Sequence, residues 1–333
     1  MTENNAVGVD SLRKMLDLLA DGQFHSGEEL GLLLGVSRAA AWKQLQKLEG
    51  LGIALLSVKG RGYCIDGGLD LLDLTKIISR VNSSLPLKLS LFPQIDSTNS
   101  YLMRHKNPAM QVCLAESQTA GRGRRGREWV SPFAQNIYCS LGWGFEGGVV
   151  ALEGLSLVVG LVIVRTLQRY GVSGLSLKWP NDVLYQDQKL AGILIEMTGD
   201  PAGYCEVIIG VGINVAMGDD PARAIEQPWI DLRSILAQQG LPYISRNLLV
   251  ATMIDELVSV LNGYEQMGFI HYCAEWSSFN AHAGQMVELR NGSLVRTGVC
   301  LGVSEVGALM LETSQGMEVF HGGELSLRRA HDS

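Results

Sequence analysis

Cysteine, positive charge and unbroken apolar sequence are all in short supply here, and each shortage closes off a class of protein. The six cysteines, Cys64, Cys113, Cys139, Cys205, Cys273 and Cys300, are scattered and include no C-x-x-C pair. That excludes a zinc ribbon and a disulfide scaffold, and it fits a reducing compartment. Acidic residues outnumber basic ones, 34 against 27, for a formal net charge of −7. Such a chain is no wholesale electrostatic binder of nucleic acid, although a small basic surface is compatible with it. The most apolar stretch, Leu152 to Val164, contains Glu153 and stops at Arg165. It is too short to span a bilayer and is expected as a buried helix, with no membrane partner. The N-terminus is polar and acidic, unlike a signal peptide, so the expected location is the cytoplasm. The six histidines show no ligand spacing, so no protein-built metal site is expected.

What is present reads as three units. Asp10 or Ser11 can cap a helix ending near Ala20, and Ser26 with Glu29 matches a capping box for a second helix. After the tight turn Leu34-Gly35-Val36, Ser37 caps a helix from Arg38 to about Glu49. Strands Ile53–Val58 and Tyr63–Ile65 flank the turn Lys59-Gly60-Arg61-Gly62, which makes a winged helix-turn-helix. A hinge is expected at Asp66-Gly67-Gly68 and a linking helix over Leu69–Val81. Residues 86–270 mix buried apolar strands, such as Val207–Ile213 and Ile193–Ile195, with helices over Leu152–Tyr170 and Arg246–Met267. From about Ala283, turn signals at Asn291-Gly292, Glu305-Val306-Gly307 and Gln315-Gly316 punctuate short strands, as in a small β-barrel.

The densest chemical signal is Gly121-Arg122-Gly123-Arg124-Arg125-Gly126-Arg127. Glycines let backbone N–H groups approach an anion, and arginines supply fixed bidentate charge suited to phosphate or carboxylate. The glycines also satisfy G-x-G-x-x-G, but no apolar strand leads in and no helix follows, so a dinucleotide fold is excluded. Lys178-Trp179-Pro180-Asn181-Asp182 reads as a strand exit and turn, from which a hairpin returns through Gln186-Asp187-Gln188. Lys189 then opens a buried strand, where a lysine is costly without an anionic partner. Gly192 makes room for a ligand or marks a bulge, and Gly210 and Gly212 imply close backbone approach or packing. Asp96-Ser97-Thr98-Asn99 precedes a helix expected near Tyr101, so a capping role competes with a binding one. Trp129 and Trp229 are candidates to cover an apolar ligand or base.

These motifs, in this order, resemble the bifunctional bacterial biotin–protein ligases that double as biotin operon repressors. The likeness runs over essentially the whole chain, through Gly322-Gly323-Glu324-Leu325-Ser326-Leu327-Arg328 near the C-terminus. The resemblance implies an α+β multidomain protein. Its parts would be a winged helix-turn-helix (1–66), a mixed α/β ligase domain related to class II aminoacyl-tRNA synthetases and lipoate ligases (67–282), and an SH3-like β-barrel (283–333). It implies that biotin attacks the α-phosphate of ATP, with Mg2+, and that a lysine of a biotin carboxyl carrier protein then attacks biotinyl-AMP. By resemblance, Lys189, Arg124 and Asp182 are catalytic. Biotin would meet Ser97, Thr98, Asn99, Gln118, Gly121, Arg122, Gly123, Arg124, Trp129, Lys189 and Gly192. ATP or the adenylate would meet Arg124, Arg127, Trp129, Lys178, Asn181, Lys189, Asn214, Met217 and Trp229. The segment Gly218-Asp219-Asp220-Pro221 departs from the family in being more acidic and stiffer. Operator DNA would meet Ser37, Arg38, Lys43, Lys47, Lys59 and Arg61, with a homodimer forming on biotinyl-AMP.

The residues give that DNA assignment separate support. Ser37 to Leu48 carries Arg38, Lys43 and Lys47 and no acidic residue, a distribution suited to the major groove with a wing on phosphate. Two alternatives remain at this stage. A lipoate–protein ligase shares the catalytic fold but not the winged helix, and a ligand-sensing repressor without catalysis needs neither the arginine loop nor Lys189.

Overall fold

The computed structural model describes residues 3–218, 224–291, 294–322 and 325–329, with the backbone alone at 3–10, 291 and 294. The acidic segment 219–221 and part of the C-terminal motif, 323–324, lie outside the described residues.

At the N-terminal end, helices α1 (Glu3–Leu19), α2 (Gly27–Leu34) and α3 (Arg38–Glu49) precede the antiparallel hairpin β1 (Leu55–Val58) and β2 (Gly62–Ile65). Ser26 accepts from the Glu29 N–H and Ser37 from the Ala40 N–H, so both expected caps form. Glu29 does not complete the box; its carboxylate turns instead to His25 Nδ1, 2.9 Å away. Asp10 and Ser11 lie inside α1 rather than at its start. The hinge expected at 66–68 is fastened. Gly68 lies against Ala20, where any Cβ would stand 2.4 Å from the Ala20 carbonyl oxygen, and the Leu69 N–H donates to that oxygen.

The linking helix shrinks to α4 (Leu74–Ile78), because Asp73 caps it and the residues before it spend their backbone groups elsewhere. The Leu72 N–H donates to Glu116 and the Asp73 N–H to Asn247, which leaves 69–73 outside any helix.

The central sheet has seven strands in the order β3 (Lys88–Phe92), β4 (Gln111–Ala115), β5 (Asn136–Phe145), β9 (Cys205–Asn214), β8 (Gln188–Gly199), β7 (Asp182–Tyr185), β6 (Leu175–Lys178). Only β3 and β4 run parallel. Helix α6 (Leu155–Gln168) and helix α8 (Arg246–Met267) cover one face, joined by α7 (Leu232–Gln239) and α9 (Ile270–Ser278). Residues 148–168 have the length and hydropathy of a membrane span, but from Leu155 to Leu167 nearly every side chain is buried in this core, as the sequence reading expects. Helix α5 (Thr98–Met103) lies on the other face, where Leu102 packs on Cys113 and Ile208. It starts at Thr98 rather than near Tyr101, because Ser97 is the cap.

A five-stranded antiparallel sheet closes the chain, in the order β13 (Gly316–Phe320), β12 (Leu309–Thr313), β11 (Leu294–Val303), β10 (Met286–Asn291), β14 (Ser326–Arg329). The turns expected at 305–307 and 315–316 join its strands; Gly292 of the third lies outside the described residues.

Candidate active site

Strand register decides which side chains meet. In β9, Val207, Ile209, Val211 and Ile213 enter the helix-covered core, so Gly210, Gly212 and Asn214 face the opposite side. Paired residues share a face, and the register sets Ser140, Tyr138 and Asn136 of β5 beside them on one edge. On the other edge stand Leu194 and Gly192 of β8, with Asp182 of β7 next to Gly192. A bulge at Leu190 shifts the phase of β8, pairing Leu184 with Lys189. That extra residue turns Lys189 onto the face of Gly192 and Asp182, and sends Leu190 into the core.

Over this face lies a cavity of about 1170 Å³. The glycines are its relief. A Cβ at Gly212 would sit 2.5 Å from the indole of Trp129, one at Gly192 3.0 Å from the same ring, and one at Gly210 2.2 Å from Asn99 Oδ1. The close approach expected at these glycines is therefore made by two of the protein's own side chains. Lys189 Nζ stands 2.8 Å from Asp182 Oδ1 and 5.3 Å from the centre of the Trp129 ring. The anionic partner that a lysine at this position needs is thus Asp182. Trp129 Nε1 is buried without a partner.

At one end of the cavity, polar residues form a chain. The Thr98 N–H donates to Gln118 Oε1 at 2.9 Å, Gln118 Nε2 to Ser131 Oγ at 3.1 Å, and Ser140 Oγ lies 2.7 Å from Thr98 Oγ1. Ser97 caps α5 and lines the cavity as well. The Gly/Arg loop forms a single tight turn over Arg124–Gly126 with Arg125 at φ 59°. Arg124 donates from Nη1 to Asn181 Oδ1 at 2.9 Å and from Nη2 to the Leu325 carbonyl at 3.2 Å. Burial pushes the Arg124 guanidinium below its ordinary pKa, with Asp182 opposing; a cation so desolvated favours an anionic ligand.

At the other end, Asn214 Nδ2 donates to the carbonyls of Lys189 and Ile230, both at 3.3 Å, tying the Trp229 segment to β8. Lys178, Asn181, Arg127, Gly123 and Trp229 line the cavity with the rest. Gly121 and Met217 do not. Gly121 is buried beneath Trp129, whose N–H bonds its carbonyl, and Met217 is buried behind Asn136. Sequence reasoning missed several neighbours, Ser131 and Ser140 of the polar chain among them. Glu196, also missed, pairs with Arg122. Another is His282, a buried wall residue with no partner on either ring nitrogen. Burial, then Lys178 and Arg329, drive its pKa down to about 4, so it is neutral at physiological pH. A carboxylate ending an apolar strand run was a readable signal for Glu196; nothing near His282 in sequence marked it.

The DNA candidates lie on the surface of the helix-turn-helix and its wing. Arg38, Lys43 and Lys47 are exposed on α3, and Lys59 and Arg61 on the wing, with Arg61 stacked 4.1 Å from the centre of the Phe24 ring. Trp42 is 48% exposed on the same helix.

Residues 91–214 match the Biotin/lipoate A/B protein ligase family and residues 11–64 an HTH domain. The chain is 40% identical over 319 residues to the bifunctional ligase/repressor BirA of Escherichia coli, covering 95% of this chain and 97% of that one. It belongs to the family of bifunctional biotin ligase/repressors. A BirA of Bacillus subtilis is 26% identical over 92% of this chain and 95% of that one. Among solved structures, the biotin protein ligase of Aquifex aeolicus in complex with biotin and ATP superposes with a TM-score of 0.63 at 30% identity, over 73% of this chain and 99% of that one. The Aquifex match thus leaves about a quarter of this chain uncovered, whereas the BirA matches span nearly all of it.

Proposed function

We propose that this protein joins biotin to AMP at the expense of ATP, transfers it to a lysine of a biotin carboxyl carrier protein, and, carrying biotinyl-AMP, represses transcription. The observation that carries the reading is the convergence of Lys189, Asp182 and Arg124 on one cavity floored by Trp129. Carboxylate attack on the α-phosphate builds negative charge on phosphate oxygens, and preorganised cations are the main requirement. Lys189 is placed to neutralise the biotin carboxylate and then the α-phosphate, while Arg124, gripped by Asn181, closes over the adenylate. Ser97, Thr98 and Gln118 offer the polar end for the ureido ring, and Asn214 and Trp229 frame the adenine. Asp182 is the carboxylate placed to orient the incoming lysine once Lys189 has turned to the phosphate.

Among the described residues no cluster of three His, Cys, Asp or Glu side chains could hold a metal. Mg2+ fits instead as an ion carried by the ATP phosphates, with Asp182, beside Lys189 on the cavity floor, a carboxylate placed to receive it. It would supply charge neutralisation on those phosphates. We further assign residues 1–66 to operator binding as a ligand-promoted homodimer, 67–282 to catalysis and 283–333 to the cavity rim, in a cytoplasmic protein.

The test is incubation with labelled biotin or labelled lipoate, ATP, Mg2+ and a carrier domain. Biotin should label the carrier lysine and lipoate should not. In parallel, Arg38, Lys43 and Lys47 are replaced by alanine, and binding to duplexes selected from a randomised library is measured with and without biotin plus ATP at two salt concentrations. DNA binding should collapse and carrier labelling persist. Wild-type binding indifferent to biotin plus ATP would remove the regulatory half.

A further inference from the structure

Glu196 ends the apolar run Ile193-Leu194-Ile195 of β8 with its side chain 23% exposed. A carboxylate in that setting needs partners, and it has two, Arg122 and Asn99, both of which line the cavity. Oε1 lies 2.9 Å from Arg122 Nη2, and Oε2 accepts from the same nitrogen at 3.0 Å and from Asn99 Nδ2 at 2.8 Å. Asn99 is itself immobilised. Its Nδ2 also reaches the Leu194 carbonyl at 3.3 Å, its Oδ1 accepts from Ser140 Oγ at 2.5 Å, and only a glycine at 210 leaves room for it. Ser140 continues to Thr98 and thence to Gln118 and Ser131. The Gly/Arg loop runs between Gln118 and Ser131, and Arg122 lies inside it. One carboxylate thus joins the loop to the polar end of the cavity and to the sheet beneath.

The loop's arginines then divide their work. Arg124 reaches the far wall, to Asn181 and Leu325, whereas Arg122 faces Glu196. We infer that Glu196 is a positioning residue: paired with Arg122, it latches the first arm of the loop onto β8, and through Asn99 it fixes the orientation of Thr98 and Gln118. That the latched loop covers biotin rests on the function proposed above; the latch itself does not.

The experiment therefore has one arm with no ligand. Trypsin cuts after arginine, and Arg124, Arg125 and Arg127 report on how well the loop is held. In full-length Glu196→Gln, mass spectrometry should find cleavage after those three residues accelerated by about twofold to fivefold, the scale of one partly exposed ion pair, while cleavage elsewhere and the melting temperature change little. In turnover, KM for biotin should rise by a similar factor with kcat within about twofold. The charge-reversed pair Arg122→Glu with Glu196→Arg should bring the proteolysis back toward wild type, whereas either reversal alone should not. Unchanged proteolysis in Glu196→Gln overturns the latch, whatever the substrate proves to be. Faster proteolysis that charge reversal fails to rescue also overturns it, because Asn99 alone would then carry the effect. If wild-type protein ignores biotin while the proteolysis pattern holds, the latch stands and the proposed function fails.

Discussion

Lys189 shows how far a single residue could be read in advance. A lysine beside Leu190-Ala191 had to find an anion, and that much followed from its neighbours in sequence. That the anion is Asp182 depends on the bulge at Leu190, which brings two odd-phased positions onto one face. No local pattern announces a one-residue slip in register. Two predictions belong here. Lys189→Ala should lower biotin-dependent pyrophosphate release by about a hundredfold, the loss of one transition-state cation worth about 3 kcal/mol. The fold should survive, since the mutation removes a cation from the cavity floor and nothing from the core. Near wild-type turnover with an unchanged melting temperature would remove Lys189 from the mechanism. Arg124→Gly should act differently. Its guanidinium spans from the loop to Asn181 and to the C-terminal sheet, so losing it unlocks the cover more than the floor. Biotinyl-AMP should then dissociate faster by a larger factor than its formation slows. The checks are the off-rate of the adenylate and stray labelling of a bystander protein; an off-rate equal to wild type would falsify the lid role.

At the scale of elements, the capped helices and continuous apolar strands were legible because their signals are local. Ser26, Ser37 and the 22-residue helix α8 fall where the sequence puts them. The linker was misread for the opposite reason: Leu69–Asp73 looks helical, but its backbone bonds Glu116 and Asn247, 44 and 174 residues away. The winged helix adds a titration of its own. His25 pairs by backbone with Tyr63 of β2, and its ring meets Asp21 at 3.1 Å and Glu29 at 2.9 Å. Burial opposes protonation, but the ring's hydrogen bonds to Glu29 and Asp21 prevail, and the pKa is raised above the ordinary 6.5. A raised histidine pKa means that the folded state holds the proton more tightly than the unfolded chain. The contribution is complete below the ordinary value and is lost as pH rises through the folded one. The His25 contribution to the melting temperature should therefore fall as pH climbs from 6.5 through neutrality. His25→Gln should flatten the slope; a slope that persists in the variant places the titration elsewhere.

Across the whole molecule, the three sheets are fastened by side chains that no segment-by-segment reading could pair. Phe133 and Ala134, from the central region, are buried in the same cluster as Met15, Leu30 and Leu45 of the helix-turn-helix. Trp179 Nε1 donates to the Gly307 carbonyl of the C-terminal sheet at 3.1 Å. The tightest fastening is Arg246 at the start of α8. It is 1% exposed, and it donates from Nε to the Asp70 carbonyl at 3.0 Å and from Nη1 to the Asn136 carbonyl at 3.0 Å. Its Nη2 meets the carboxylate of Glu116, itself 2% exposed. One guanidinium thus holds the linker from the winged helix, the strand that leads to Gln118, and the first residue of β5. A buried pair of this kind is weak evidence for net stability, because desolvation offsets the attraction. Breaking it is another matter. Arg246→Met would strand a carboxylate whose pKa burial already pushes upward and would leave two carbonyls without donors. The expected loss is about 3–5 kcal/mol in urea unfolding of the full chain. Adding Glu116→Gln should restore part of that loss, since the stranded charge is gone while the Leu72 N–H keeps an amide oxygen to bond. If the double variant is no more stable than Arg246→Met, the stranded charge is not the origin of the loss, and the carbonyls of Asp70 and Asn136 carry it.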